Sequence, residues 1–227
     1  MVRLADIVVS RYNKPTEWTD GFLNLGIKKT NESTEKGEVK VFVYDKANPA
    51  NPYNVPVNKG NEASVYLKHI IDFYDDLAEY TYFIHDEEYS WHHHGSVIDL
   101  FEDAYAILCE SPMMGFYNVN HFMMQTLYHN IYIMEILQWY QEYIEEYVPF
   151  DSLESEDFTL GHKGAAQFLV KREAIVRLPK LCYERLYQWL ITTDIPSDIS
   201  GRFLEWTWHT LFRGTKLGNQ VREPRFP

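Results

Sequence analysis

Asn61-Glu-Ala-Ser-Val-Tyr-Leu-Lys-His-Ile-Ile-Asp-Phe-Tyr-Asp-Asp-Leu77, followed shortly by Thr81-Tyr-Phe-Ile84, decides the fold class. Ala63, Tyr66, Leu67, Ile70, Ile71, Tyr74 and Leu77 recur at intervals of three and four. That spacing puts them on one face of an amphipathic helix. Asn61 stands where an N-cap residue is expected. Thr81–Ile84 is a short apolar run of the kind buried strands show. Upstream, Val39-Lys-Val-Phe-Val-Tyr44 reads as another strand, ending at Asp45, and Ala5-Asp-Ile-Val-Val-Ser10 as the first, running into Arg11, Tyr12 and Asn13. A strand, a helix and a strand in this order predict a βαβ unit with parallel strands. The fold class expected is α/β: one domain with a central, mostly parallel, twisted sheet flanked by helices.

Outward from this unit the pattern weakens. Thr16–Asp20 opens a short helix, and 28–40 and 47–60 are polar or Pro- and Asn-rich loops. Residues 97–147 alternate aromatic and polar segments. Thr126–Tyr147 reads as a long helix, with Ile131, Met134, Leu137 and Ile144 near one face. Residues 151–157 form an acidic loop. Ala165–Val170 turns into a strand, Arg172–Leu190 is helical with a break at Pro179, and Gly201–Phe212 reads as a last helix. The tail beyond Gly214 has no periodicity. No internal repeat marks a domain boundary.

The chain has 227 residues, with 33 Asp and Glu against 21 Lys and Arg, a net charge of −12. This length suits one large domain or two small ones. The charge excludes a protein that grips nucleic acid through a basic stripe, since counterion release needs clustered cations. A phosphorylated ligand would need a divalent cation to offset the surplus carboxylates. Aromatic residues make up 16% of the chain, enough to furnish recognition surfaces as well as a core. Cys109 and Cys182 both lie in apolar surroundings and read as two buried free thiols. No signal-peptide core and no membrane-length apolar run is visible, so the chain reads as soluble and cytoplasmic.

Three local constellations could carry chemistry. The sharpest is His85-Asp86-Glu87-Glu88-Tyr-Ser-Trp-His92-His93-His94, directly after the third strand. Ligands of open parallel sheets sit beyond the carboxyl ends of strands. Asp86 and Glu88, one residue apart, can direct two oxygens at one hard cation, Mn²⁺ or Mg²⁺, and imidazole can join manganese. The plain alternative is a solvated acidic loop. The second is Glu205-Trp-Thr-Trp-His209, where spacing of four on one helix aims both side chains the same way; an ordinary Glu–His pair is the alternative. The third is Gly161-His-Lys-Gly164-Ala-Ala-Gln167, whose small residues permit close backbone approach and whose Lys163 could meet a phosphate. It is not a Walker loop. Without a nucleophile elbow, a Cys-x-x-Cys pair or a dinucleotide fingerprint, serine hydrolysis and hydride transfer lose support.

Taken in order, these pieces resemble a family of GT-A-like glycosyltransferase domains found in fungi and large DNA viruses. The matching pieces are Asp6–Asn13 with Trp18; Val43-Tyr-Asp-Lys46; Asn58-Lys-Gly-Asn-Glu62 with Tyr66, Leu67 and His69; Phe83–Glu88; Ala166-Gln-Phe168; Tyr183-Glu-Arg185; and Ser200-Gly-Arg202 with Leu204, Glu205 and Trp208. More narrowly, the chain looks like a chlorella-virus glycosyltransferase domain acting on capsid glycans. The resemblance implies a single GT-A-like domain over 1–227. Its nucleotide-binding half would cover about 1–95 and its sugar and acceptor side about 96–214, with a tail at 215–227. The whole could be one domain of a larger polypeptide, acting in the cytoplasm of a host cell if viral.

The resemblance also implies roles. Ser10, Arg11, Tyr12, Asp45 and Glu62 would meet the nucleotide. Lys163, Gly164 and Gln167 would line the donor or acceptor pocket. The Asp-x-Asp metal motif maps onto Asp86-Glu87-Glu88, with Glu88 in place of the second aspartate, and His209 corresponds to a C-terminal metal-ligating histidine. Many family members carry Arg where this chain has Asn61. The reaction implied moves a sugar from a UDP-sugar to a glycan hydroxyl with Mn²⁺ or Mg²⁺. An inverting route needs a carboxylate base, for which Glu205 and Asp198 are the candidates, with Asp86 holding the metal; a retaining route needs none. Two rivals remain: a metal-dependent hydrolase built on Asp86, Glu88 and the histidines, and a non-catalytic nucleotide- or glycan-binding module.

Overall fold

The computed structural model describes residues 3–27, 37–121, 132–149 and 166–213. Its centre is β1 (Arg3–Arg11), buried from Leu4 to Ser10. β2 (Glu38–Asp45) pairs with it on one side and β3 (Tyr80–His85) on the other, both parallel to it. β5 (Phe168–Lys171) runs antiparallel to β3, and β4 (Phe116–Asn118) antiparallel to β5. The five-stranded open sheet has the order β2-β1-β3-β5-β4, and four of its strands point the same way. The protein is thus a mixed α/β domain with a mostly parallel core.

Strand alternation explains why both sheet faces are covered. Val8, Phe83, Phe168 and Val170 belong to one apolar cluster, whereas Ile7, Val9, Tyr82, Ile84 and Leu169 belong to another. The first cluster is closed by α2 (Ala63–Phe73), α4 (Ile133–Tyr143), α5 (Arg172–Val176), α6 (Lys180–Thr192), α7 (Ser197–Glu205) and α8 (Trp208–Arg213). The second is closed by α1 (Asp20–Leu23) and α3 (Val97–Glu110). The expected break at Pro179 separates α5 from α6. No helix among the described residues is long and apolar enough to cross a membrane.

Several local expectations are corrected. Asn61 is not the N-cap of α2. It follows Gly60 (φ +68°) and itself has φ +54°, a left-handed conformation Asn tolerates, and the helix starts at Ala63. α4 ends at Tyr143, and its buried face is Ile136, Trp139, Tyr140 and Ile144, while Met134 is exposed; residues 126–131, Ile131 included, lie outside the described residues, as do the acidic 151–157 and the tail. Cys109 is exposed because Tyr105 and Leu108 take the inward face of α3. Cys182 is buried, which pushes its thiol up to about 12.

The last helical stretch divides in two. α7 starts at Ser197, just after Pro196, and ends at Glu205; α8 starts at Trp208. Glu205 and His209 therefore do not share one helix. Gly201 is what seats α7. A Cβ there would lie 2.8 Å from the Gly60 carbonyl oxygen and 3.0 Å from its carbon, and backbone cannot swing aside. Gly201→Ala is expected to push α7 off the Gly60–Asn61 turn at a cost of about 1–3 kcal/mol, read as a lower melting temperature.

Candidate active site at the carboxyl ends of the parallel strands

The chain leaves β1 toward β2 on one side, then returns through α2 to β3 on the other. The β1/β3 boundary is thus a topological switch point, where open α/β sheets bind ligands. Asp86, the residue after β3, bridges it. Its side chain is nearly buried, and one oxygen accepts the Tyr12 backbone N–H at 2.7 Å. The other, Oδ1, lies 4.0 Å from Lys14 Nζ, which also meets Glu87 Oε1 at 2.8 Å. Glu87 hydrogen bonding and the two acidic charges raise the Lys14 ammonium pKa. Arg11 donates to Asp45 Oδ2 and to the Lys14 carbonyl, both at 2.6 Å, and Asp45 also accepts from the Ala47 N–H. Ser10, Arg11, Tyr12, Asp45 and Asp86, expected from the sequence, therefore converge on one sheet edge.

A second group lies on the α2 side of the same edge. Ser10 and His85 are register neighbours, each two residues beyond a side chain of the α2-facing cluster. His85 Nε2 is 3.8 Å from Glu62 Oε2, and its backbone N–H donates to Gln167 Oε1 at 3.1 Å. Burial pushes His85 down to about 4. The His92 ring sits 5.1 Å from that of His85 and is also pushed down to about 4, by burial and by His85. Lys46 donates to the Asn61 carbonyl at 3.0 Å. Burial lowers its pKa, against the charges of Glu62 and Asp86.

The Glu62 carboxyl is raised by burial, partly offset by Lys46 and His92. The Glu205 carboxyl is raised by burial and then by the charge of Glu62. Beneath them the buried Tyr66 donates to the Ala166 carbonyl at 2.8 Å, within the field of Glu62, Glu205 and Asp86. Burial favours the neutral form of both carboxyls, and the charge of Glu62 adds to it at Glu205. A carboxyl pushed up to about 8, as Glu205 is, can take or give a proton near neutral pH. Ser10 Oγ, His85 Nε2 and Gln167 Nε2 are buried without a hydrogen-bond partner among the described residues; they are polar atoms a ligand could satisfy.

The remaining expected residues go elsewhere. Glu88 Oε1 accepts from Ser96 Oγ at 2.9 Å, and Ser96 caps α3. The acid standing with Asp86 beside a common cation, Lys14, is therefore Glu87. His209 is buried on α8, 3.4 Å from the Thr210 hydroxyl. Asp198 is exposed in the first turn of α7, about 10 Å of helix rise from Glu205. His93 Nδ1 lies 3.1 Å from the Gly95 carbonyl, and His94 stacks on His121. Lys163 and Gly164 lie outside the described residues. His85 and His92 belong to the histidine-rich stretch the sequence singled out, whereas Lys46 and Tyr66 were given no role there, although Lys46 follows Asp45.

Among the described residues no three His, Cys, Asp or Glu side chains converge as a protein-only metal cage. Magnesium sites commonly use one or two carboxylates completed by substrate phosphates; the Asp86 oxygen 4.0 Å from Lys14 is a hard, anionic donor of that kind, and a metal there would have to displace the Lys14 ammonium.

The raised Glu205 carboxyl gives a signed expectation. Its burden on the fold is absent below the ordinary Glu value of about 4.3 and grows as pH rises through the raised folded value. Glu205→Gln should therefore melt higher than the parent at pH 8 and equal it near pH 4, while losing any activity that uses the carboxyl. Thermal melts across pH check this.

The fold and this edge define an α/β protein with a candidate ligand site at a parallel-sheet switch point. The chain belongs to the family described as protein of unknown function (DUF3431), whose sequence model matches residues 7–111 and 114–223. The matched ranges take in Ser10 to Asp86, Gln167 and Glu205. No curated protein matches the sequence.

Proposed function

We propose that the protein is a metal-dependent glycosyltransferase that moves a sugar from a UDP-sugar to a glycan hydroxyl. The observation that carries this reading is Asp86. It bridges the β1/β3 switch point, and its charge bears on the same buried Tyr66 as those of Glu62 and Glu205. The choice of uridine and of viral glycoprotein glycans rests on the family resemblance, and that of a cytoplasmic setting on the sequence, which shows no signal-peptide core.

Bound Mn²⁺ or Mg²⁺ would supply Lewis-acid stabilisation of the leaving diphosphate. Asp86 would hold it, with Glu87 and the donor phosphates as further oxygen donors. Arg11 and Asp45 shape the nucleotide end, with Tyr12 exposed above them. The acceptor oxygen forms the new bond to the sugar carbon as the bond from that carbon to the diphosphate oxygen breaks. The electron pair leaves on the diphosphate, and the acceptor proton passes to the ionised member of the Glu62–Glu205 pair. Glu205 suits this role better than the exposed Asp198, and a base there supports inversion.

A screen of UDP-sugars tests the reading. UDP release that needs Mn²⁺ and a glycan acceptor, and stops with chelator, is expected. Release of free sugar without any acceptor would favour the hydrolase, and ligand binding without turnover under any acceptor the binding module.

A further inference from the structure

A cavity of about 540 Å³ opens at the end of β3 opposite the candidate active site. Tyr80, the first residue of β3, pairs with Lys171, the last of β5, across the antiparallel ladder, and directly opposed side chains stand on the same face. The Arg172 backbone N–H then donates to the Glu79 carbonyl at 2.9 Å. Glu79 and Tyr80 are thereby set beside Lys171 and Arg172 in one wall of the cavity. Lys171 is nearly buried, at 9% exposure. Its ammonium donates to the Pro112 carbonyl at 3.3 Å and lies 4.0 Å from Glu173 Oε1, too far for a hydrogen bond. An ammonium has three N–H donors, so two are left unmet among the described residues. The Arg172 guanidinium and the Glu79 carboxylate, both exposed, meet no hydrogen-bond or ion-pair partner among the described residues. Leu77, the Tyr80 ring and the partly exposed Val176 supply the apolar part of the lining.

We propose that this cavity binds a zwitterion with an apolar body, a free apolar α-amino acid. The lining carries two cations, Lys171 and Arg172, and two carboxylates, Glu79 and Glu173. A multiply charged anion would meet both carboxylates, a simple cation would meet Lys171 and Arg172, and a purely apolar molecule would leave the Lys171 donors unsatisfied. A zwitterion answers every part of the wall. Its carboxylate accepts from Lys171 and Arg172 in charge-assisted hydrogen bonds, its ammonium donates to Glu79 or Glu173, and its side chain covers Leu77, Tyr80 and Val176. The volume is in the range of small-molecule pockets. β3 has six residues, so this cavity and Asp86 stand about 20 Å apart along the strand, and amino-acid binding does not rest on the transferase reading.

Calorimetric titration with L-leucine and L-phenylalanine tests the proposal, with L-leucinamide lacking the carboxylate, 4-methylpentanoate lacking the ammonium and glycine lacking the apolar body. At least one of the two amino acids should bind, and for leucine each of the three analogues should bind about tenfold more weakly or not at all. Arg172→Gln should weaken amino-acid binding by about tenfold at an unchanged melting temperature, because that side chain holds nothing in the fold. Leu23→Ala, an exposed apolar side chain on α1, should leave binding as it is. No binding of either amino acid, 4-methylpentanoate binding as tightly as leucine, or equal binding by Arg172→Gln would overturn the proposal.

Discussion

Under the proposed transferase function, Asp86→Ala is expected to lower sugar transfer by about 10³-fold, near 4 kcal/mol of transition-state stabilisation, with little change in melting temperature. Asp86 sits at the end of β3, and its carboxylate accepts from a backbone N–H of the exposed Tyr12. Water can replace it in that bond, so the fold loses little. The proposed transfer loses a nearly buried carboxylate at the switch point. Asp86→Asn sharpens the test: it keeps an acceptor for the Tyr12 N–H but not the charge, and it should be nearly as inactive as the alanine variant. Steady-state rates at saturating Mn²⁺ measure both. Wild-type turnover in either variant would remove Asp86 from the mechanism.

Asp6→Ala is expected to act on the fold instead, costing about 3 kcal/mol and lowering the melting temperature on the order of 6–12 °C. Asp6 is fully buried in β1, on the face covered by α2. Arg3 Nε donates to it at 2.5 Å, and the Ala78 N–H donates at 3.3 Å. His69 Nε2 lies 3.7 Å away, too far for a hydrogen bond, and its Nδ1 meets the Tyr44 hydroxyl at 3.2 Å. Burial pushes the Asp6 carboxyl up, but His69 and Arg3 more than offset it, so the folded pKa is lowered. Its contribution is present above the ordinary Asp value of about 3.9 and is lost as pH falls through the folded value. Burial lowers His69, which therefore costs stability once pH falls below about 6.5. The parent should weaken in two stages on acidification, with the lower one absent from Asp6→Ala.

The βαβ core was legible because α2 and the two strands flanking it carry strong periodicity, and because Pro179 divides α5 from α6 wherever tertiary contacts lie. The sheet's antiparallel half was not: alternation in Phe168–Lys171 places its side chains on two faces but does not state which way the strand runs. α3 and the three-residue β4 went unread in a segment of mixed aromatic and polar residues, although Phe101, Ala104, Tyr105 and Leu108 do mark a helical face. Two residues without regular structure, Trp206 and Thr207, divide α7 from α8, and helical spacing alone gave no warning of them.

The same contrast holds at the site. Residues that end or directly follow parallel strands, Ser10 to Tyr12, Asp45 and Asp86, are brought together by the parallel topology, and sequence order was enough to find them. The Glu62–Glu205 relation depends on Gly201 meeting the Gly60–Asn61 turn, a contact between segments far apart in the chain. Both segments were present among the pieces that resemble the glycosyltransferase family; their contact was not. Glu88 and Glu87 exchanged their expected places because the loop turns Glu88 to Ser96 at the start of α3, a detail of loop path that residue spacing does not encode.

The most direct test of the account is calorimetric titration of UDP into the protein and into Asp86→Ala, each with Mn²⁺ and with chelator. The account predicts binding by the parent that is strong with Mn²⁺ and lost with chelator, and weak binding by Asp86→Ala under both conditions. UDP binding that is indifferent to metal, or equal in the two proteins, would contradict it.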